Sequence, residues 1–122
     1  MPLNPSAEMY LETIHLLHKK KASVRSIDIA EQMNFSKPSV SRAVANLKKD
    51  GYITVDSNGY ISLTEKGLAL SQTIYERHTV LTKIFTLLGV DEKIASEDAC
   101  KIEHVISDET FQALKKHLEE NK

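Results

Sequence analysis

The residues best suited to chemistry lie close together near the end of the chain. In the stretch "DACKIEHVISDE", the single cysteine, Cys100, precedes Glu103 and His104 by three and four residues. On a helix this spacing places a thiol, a carboxylate and an imidazole on one face. All three groups are ligands of divalent transition metals, so the stretch predicts a metal site. One cysteine cannot form an intrachain disulfide, which leaves Cys100 as a buried small residue, a reactive thiol or a ligand.

Three more residues could join this site from other helices. Met9 and Glu12 lie one turn apart on the first predicted helix, and His78 lies midway along a long one. Thioether, carboxylate, thiolate and imidazole together suit a first-row transition metal, whereas Ca²⁺ and Mg²⁺ prefer oxygen ligands. Each residue also has an ordinary interpretation, as core, solvated surface or interior histidine. The other histidines have no partner at ligand spacing and are expected at the surface: His15, His18 and His117.

The front half of the chain has the pattern of a helix-turn-helix. Apolar residues at helical spacing predict a helix over residues 6 to 20. Ser26 is a candidate cap of a short second helix, and Ser36 of a third that ends before Gly51. A turn of about four residues joins the second and third helices, which is typical of the DNA-binding helix-turn-helix.

A β-hairpin is predicted directly after the third helix. In "YITVDSNGYISLT", β-favouring runs at residues 52 to 55 and 60 to 63 flank an Asn-Gly pair, a strong hairpin turn signal. A helix-turn-helix followed by such a hairpin, or wing, predicts a winged helix. In that arrangement the recognition helix enters the major groove of DNA.

The third helix carries side chains suited to this role. Apolar residues at Val40, Val44 and Leu47 would face the core, while polar groups crowd its first turns. Arg42 could make a bidentate contact to guanine, and the serines and lysine at the helix N-terminus could hold phosphates. Taken singly, each is equally well explained as a cap or surface residue. The candidate DNA-contacting residues are Ser36, Lys37, Pro38, Ser39, Ser41 and Arg42.

The back half is predicted to be all helical. A long helix ends at Gly89, Asp91 caps a second helix through about Ile106, and Ser107 begins a last one. The long helix exceeds what is needed to close a winged helix and must bury its apolar side elsewhere. Because one winged helix contacts only half of a symmetric operator, these helices are expected to form an isologous homodimer.

Composition limits the function classes. The 122 residues fit one domain or two small subdomains, and 41% are hydrophobic. Residues 1 to 60 carry eight Lys/Arg against six Asp/Glu, and residues 61 to 122 carry eight against eleven. This agrees with a front half that meets phosphates and a back half that holds cations. No secretion signal or apolar run of about 18 residues is present, so a cytoplasmic protein with no membrane partner is expected.

Nothing in the sequence favours catalysis. A Gly-rich phosphate loop, a nucleophile elbow and a paired-carboxylate constellation are all missing, so an enzyme with a small-molecule substrate is not predicted. Two alternatives to a metal-responsive regulator remain open. One is a winged helix with a structural Zn²⁺, and the other is a metal-dependent hydrolase built around Cys100, Glu103 and His104.

Five segments together resemble the diphtheria-toxin-repressor family of metal-dependent transcriptional regulators. They are "EMYLETI" at 8 to 14, "SKPSVSRAVANLKKDGYI" at 36 to 53, "LTEKG" at 63 to 67, "RHTVL" at 77 to 81 and "ACKIEHVISDE" at 99 to 109. The resemblance covers nearly the whole chain. It implies a mainly α protein, with a winged helix-turn-helix DNA-binding domain over 1–63 and an all-helical dimerisation and metal-binding domain over 64–122.

The resemblance also implies a metal-activated repressor of operator DNA. In the iron branch the primary site uses the positions of Met9, Cys100, Glu103 and His104, with a backbone carbonyl from the cysteine. The manganese branch has carboxylates at the first two of these positions and also uses those of Glu12 and His78. This chain has the iron-type pair together with both manganese-branch residues, so Fe²⁺ is expected first and Mn²⁺ next. Co²⁺, Ni²⁺ and Zn²⁺ are expected to bind in vitro.

The chain departs from the family at two points. Thr82 and Ser96 stand where the ancillary site of the iron branch resembles a Glu and a His, which argues against that second site. A hybrid primary site that includes Glu12 and His78 stays open. The length is similar to that of the short, two-domain members, without the SH3-like domain.

Overall fold

The computed structural model describes residues 4–121 and confirms the predicted order of three helices, a hairpin and three helices. No helix in this range is long and apolar enough to cross a membrane. The chain divides into two compact units, Met1–Gln72 and Thr73–Lys122, with the division inside one long helix. The elements are α1 (Pro5–Lys20), α2 (Ser26–Met33), α3 (Lys37–Lys49), β1 (Ile53–Val55), β2 (Ile61–Leu63), α4 (Glu65–Leu87), α5 (Glu92–Ile102) and α6 (Asp108–Glu120).

The first helix supplies one wall of the core of the first unit. Asn4 caps α1, and its side chain accepts a hydrogen bond of 2.8 Å from the Ala7 N–H. Leu11, Ile14 and Leu17 then follow at helical spacing and are buried. They belong to a cluster that also includes side chains from α2, α3 and both strands.

The helix-turn-helix forms as predicted, with one correction at the start of α2. Ser26 is the first helical residue, and Arg25 is the N-cap. The reason is that the Asp28 carboxylate, three residues into the helix, accepts the Arg25 N–H at 2.8 Å and takes over the capping. Lys21 also bonds Asp28, and this bond together with the Arg25 N–H lowers the pKa of the carboxyl.

The turn before α3 and the cap of α3 position the recognition helix. Asn34 ends α2 in the left-handed conformation with a φ of 56°. Ser36 caps α3 as predicted, because its Oγ accepts the Ser39 N–H at 3.3 Å. Val40 and Val44 are buried, as the apolar spacing of this helix predicted.

The wing is a two-stranded antiparallel hairpin in which Ile53 pairs with Leu63 and Val55 with Ile61. Each strand starts one residue later than predicted. The Asp56 side chain accepts the backbone N–H groups of Asn58 and Tyr60, both at 2.9 Å, and shapes the turn.

Backbone hydrogen bonds fasten β2 to the segment after α1. The Ile61 N–H donates to the Val24 carbonyl at 2.8 Å, and the His18 Nε2 lies 2.8 Å from the Ile61 carbonyl. The expectation that His18 is a surface residue is therefore wrong, since its side chain is half-buried and contacts the wing. It was made from ligand spacing, which says nothing about a backbone carbonyl 43 residues away.

Gly67, in the first turn of α4, meets the backbone of Tyr52, between α3 and β1. A Cβ on this glycine would lie 2.0 Å from the Tyr52 carbonyl oxygen, closer than any two such atoms can approach. The Thr64 N–H donates to the same carbonyl at 3.1 Å. The backbone just before the wing therefore packs so closely against the start of α4 that no side chain fits at position 67.

The second unit packs the rest of α4 with α5 and α6. Ile74 and Leu81 from α4 and Phe111 from α6 are almost fully buried. Asp91 and Ser107 cap α5 and α6 as predicted.

One boundary of the second unit differs from the prediction. α5 ends at Ile102 rather than near Ile106, and residues 103 to 105 form a turn that leads to α6. Glu103 is the C-cap and keeps helical dihedral angles, with φ −57° and ψ −24°.

Candidate metal centre and nucleic-acid interface

A buried carboxylate between two imidazoles is the main feature of the second unit. The Oε2 atom of Glu103 lies 2.9 Å from Nδ1 of His78, and its Oε1 atom lies 3.3 Å from Nε2 of His104. The Glu103 side chain is 0% exposed, and that of His104 is 2% exposed. Donor atoms that share one ion at bond lengths of about 2.1 Å stand roughly 3 to 3.5 Å apart. Each of these two nitrogen–oxygen distances is therefore compatible with two ligands of one ion, and imidazole and carboxylate are both ligands of transition metals.

The turn that carries these ligands is held by Arg77, the neighbour of His78 on α4. Its Nη1 donates to the Glu103 carbonyl at 3.3 Å, and its Nη2 lies 3.9 Å from the Asp108 carboxylate. The guanidinium also lies 5.8 Å from the centre of the Phe111 ring. Sequence reasoning missed Arg77, because contacts with a turn and a helix 26 and 31 residues away leave no local signal.

Cys100 is half-buried on α5 and has a free thiol. Because α5 retains helical geometry through its C-cap, Cys100 lies one turn before Glu103. His104 follows in the turn rather than in the helix. Among the described residues 4–121, the Glu103 carboxylate is hydrogen-bonded to the His78 imidazole, and the Cys100 thiol takes no part in that hydrogen bond.

A groove opens beside His78 in the second unit. Its volume is about 610 Å³, and the residues that line it include Thr79, Thr82, Thr86 and Ser96. The Ser96 Oγ lies 3.3 Å from Nε2 of His78. The sequence marks Ser96 and Thr82 only as departures from an ancillary site, and it gives no signal for the contact of Ser96 with His78.

The two remaining candidate ligands belong to the first unit. Met9 and Glu12 lie one turn apart on α1, where Met9 is 38% exposed and Glu12 is half-buried. A core methionine would be buried, so the exposure of Met9 does not fit its interpretation as a core residue. Their participation in metal binding stays a prediction.

The candidate nucleic-acid interface occupies the start of α3. Lys37, Ser41 and Arg42 are exposed on the side opposite the buried valines, so α3 has one polar and one packed face. The Ser36 hydroxyl donates to the Ser39 hydroxyl at 2.9 Å besides capping the helix. These two serines thus have local partners already, whereas Lys37, Ser41 and Arg42 present their polar groups to solvent. Pro38 is exposed at the start of the helix.

Comparisons with known proteins identify the family. Residues 2–61 match the N-terminal DNA-binding domain of iron-dependent repressors, and residues 64–122 match their metal-binding and dimerisation domain. This chain belongs to the iron-dependent repressor family. Its members are metal-dependent transcriptional repressors and not enzymes, which removes the hydrolase alternative.

Individual relatives agree with this assignment. An HTH-type transcriptional regulator of Methanocaldococcus jannaschii is 37% identical, over 98% of both chains. The diphtheria toxin repressor of Corynebacterium diphtheriae is 33% identical over 94% of this chain but only 51% of its own length. The structure of the manganese regulator SloR superposes with a TM-score of 0.79 at 29% identity, covering 98% of this chain and 55% of SloR. The similar proteins include both iron and manganese regulators.

Proposed function

We propose that this chain is an Fe²⁺-activated repressor that binds double-stranded operator DNA as a homodimer and controls genes of metal homeostasis. The observation that supports this most is the buried Glu103 carboxylate between the imidazoles of His78 and His104. A buried carboxylate is costly unless it is paired or binds a cation. In a domain of a metal-binding family, a divalent ion is the natural partner.

The proposed ligand set comprises the six residues predicted from the sequence. His78, Glu103 and His104 would be joined by the thiolate of Cys100 and by Met9 and Glu12. Binding of one ion by this set would couple metal binding to DNA binding by the dimer. If metal raises the affinity for operator DNA by a certain factor, thermodynamic linkage requires that DNA raise the affinity for metal by the same factor. In such systems the factor is about 5- to 150-fold.

The choice of iron depends on the two sulfur ligands. Thiolate and thioether groups soften a site relative to carboxylates, which favours Fe²⁺ over Mn²⁺. A manganese-responsive regulator is the second candidate, since His78 faces Glu103 directly and would act as a ligand through Nδ1. Zn²⁺, Co²⁺ and Ni²⁺ would also bind in vitro because they form stronger complexes with most ligand sets.

The proposed homodimer would form through the second unit. Several large apolar side chains there are strongly exposed, with Leu87 at 63%, Leu88 at 77% and Ile94 at 52%. These residues lie within the range that matches a dimerisation domain. A second copy of this chain is the occupant that would cover them.

The decisive experiment measures DNA affinity as a function of metal. Metal-free protein under anaerobic conditions is titrated onto a fluorescent duplex selected from a randomised pool by the metal-loaded protein, at constant salt. We expect Fe²⁺ to raise the affinity at least tenfold, and Mn²⁺ to do so less effectively. In Glu103→Gln the increase should be lost, because the amide is a much weaker ligand than the carboxylate.

Glu97→Gln is the matched control, since Glu97 is an exposed carboxylate on the same helix. It should respond to metal like the wild type. Equal DNA affinity with and without metal would contradict the proposal. If a chelator also unfolded the protein, as followed by circular dichroism, the structural-zinc alternative would be favoured.

A further inference from the structure

We infer that Ser96 is a positioning residue that orients the His78 imidazole for metal binding through Nδ1. The inference rests on the proposed metal centre and extends it to a residue outside the ligand set. Ser96 lies on α5 and His78 on α4, and the Ser96 Oγ is 3.3 Å from Nε2 of His78. The opposite ring nitrogen, Nδ1, is 2.9 Å from Glu103. Both nitrogens therefore have assigned partners, and the ring is fixed from two sides.

The two partners determine where the imidazole proton resides without metal. A carboxylate only accepts hydrogen bonds, so Nδ1 of the neutral ring carries the proton and donates a hydrogen bond to Glu103. The lone pair of Nε2 then accepts the Ser96 hydroxyl. Of the two neutral forms, this one satisfies both contacts.

Metal binding through Nδ1 would reverse the roles of the two nitrogens. Coordination through Nδ1 requires its lone pair, so the proton of the neutral ring must reside on Nε2 instead. Ser96 can accept this proton in a hydrogen bond as readily as it donated before, because a hydroxyl is both donor and acceptor. Ser96 thus holds the ring in one orientation in both states. One proton leaves Nδ1 and one is gained at Nε2, so the imidazole stays neutral.

The groove beside His78 provides the solvent access that this exchange needs. His78 and Ser96 both line it, and 27% of the His78 side chain is exposed. Thr79, Thr82 and Thr86 line the same groove. The hydroxyl at position 96 would support the ring without competing as a metal ligand, because a neutral alcohol is a weak ligand for transition metals beside imidazole and carboxylate.

The test compares Ser96→Ala with Ser96→Thr, which keeps the hydroxyl. Zn²⁺ is the probe, and its affinity is measured by competition with a chromophoric chelator. We expect Ser96→Ala to weaken binding about 10- to 100-fold, as is typical when the partner of a ligating histidine is lost. Ser96→Thr should stay within several-fold of wild type. Thr79→Ala is the control for loss of a groove hydroxyl, since the Thr79 hydroxyl donates to the Tyr75 carbonyl and not to His78.

A second measurement reads the ring itself. In ¹⁵N-labelled, zinc-loaded wild type, we expect a protonated Nε2 of His78 whose N–H signal exchanges slowly with water. That signal should broaden or vanish in Ser96→Ala. Unchanged zinc affinity in Ser96→Ala, with loss of binding in Glu103→Gln, would overturn the role of Ser96 and leave the metal centre intact. A wild type that binds no zinc at this site would overturn both.

Discussion

Among single residues, Asp28 shows how local bonding sets a pH dependence. The Lys21 ammonium and the Arg25 N–H both bond its carboxylate, and they lower the pKa of Asp28 below its ordinary value. A lowered pKa in the folded state means that the carboxylate stabilises the fold above its unfolded pKa. This contribution is lost as the pH falls through the lowered value.

We therefore expect Asp28→Asn to reduce the free energy of unfolding modestly at pH 7, by no more than about 1 kcal/mol, because the Lys21 side chain of the pair is 49% exposed and its charge is screened by solvent. The difference from wild type should shrink at pH values below the ordinary pKa of an aspartate. Urea unfolding of the metal-free protein across this pH range measures it. Asp98→Asn, at an exposed aspartate on α5, is the control and should change little at any pH. A loss that stayed constant down to pH 2 would contradict the assignment to this carboxylate.

At the scale of elements, Arg77 joins α4 to the turn after α5 and to the start of α6. Its side chain is 15% exposed and reaches Glu103, Asp108 and Phe111. We expect Arg77→Ala to lower the free energy of unfolding of the metal-free protein by roughly 1 to 3 kcal/mol, because a largely buried charged hydrogen bond is lost. Chemical denaturation followed by circular dichroism measures this change.

Lys115→Ala provides the comparison for Arg77. Lys115 also connects α6 to α4, through an ion pair of 3.2 Å with Glu76, but both side chains are at least one-third exposed. Its removal should cost well under 1 kcal/mol. Equal losses in the two variants would show that the position of Arg77 at the turn has no special importance.

The elements themselves could be predicted largely from local signals. Ser36, Asp91 and Ser107 were identified as caps because a cap acts within three residues of its own position. The predicted end of α5 is too late in the sequence, because no glycine or proline marks Ile102 as the last helical residue. That end is set by the turn into α6, which brings Glu103 and His104 to the buried site.

The candidate site was only partly predictable for the same reason. Metal-capable side chains at positions 78, 103 and 104 stand out by type and spacing. The contact of Ser96 with His78 spans 18 residues and depends on how α4 and α5 pack, which no local pattern encodes. His18 against the wing is a similar case.

For the whole molecule, we predict self-association through the exposed apolar residues of the second unit. We expect Leu88→Glu to convert the proposed dimer to a monomer, because a carboxylate would be buried against an apolar surface at a cost of several kcal/mol. Sedimentation velocity at micromolar concentration measures this, and operator affinity should fall with it. Ile27→Glu makes the same change in charge at an exposed site of α2 and should remain dimeric. A wild type that sediments as a monomer would refute the dimer.

The close approach of Gly67 to the Tyr52 carbonyl has a consequence for genetics. A screen for derepressed alleles would be expected to return substitutions of the proposed metal ligands and of the exposed face of α3. It should return replacements of this glycine as well, since even one methyl group would displace the wing from its anchor. Such alleles would resemble loss of metal sensing in the cell while leaving every ligand intact. Phenotype alone would thus overstate the number of residues that sense metal.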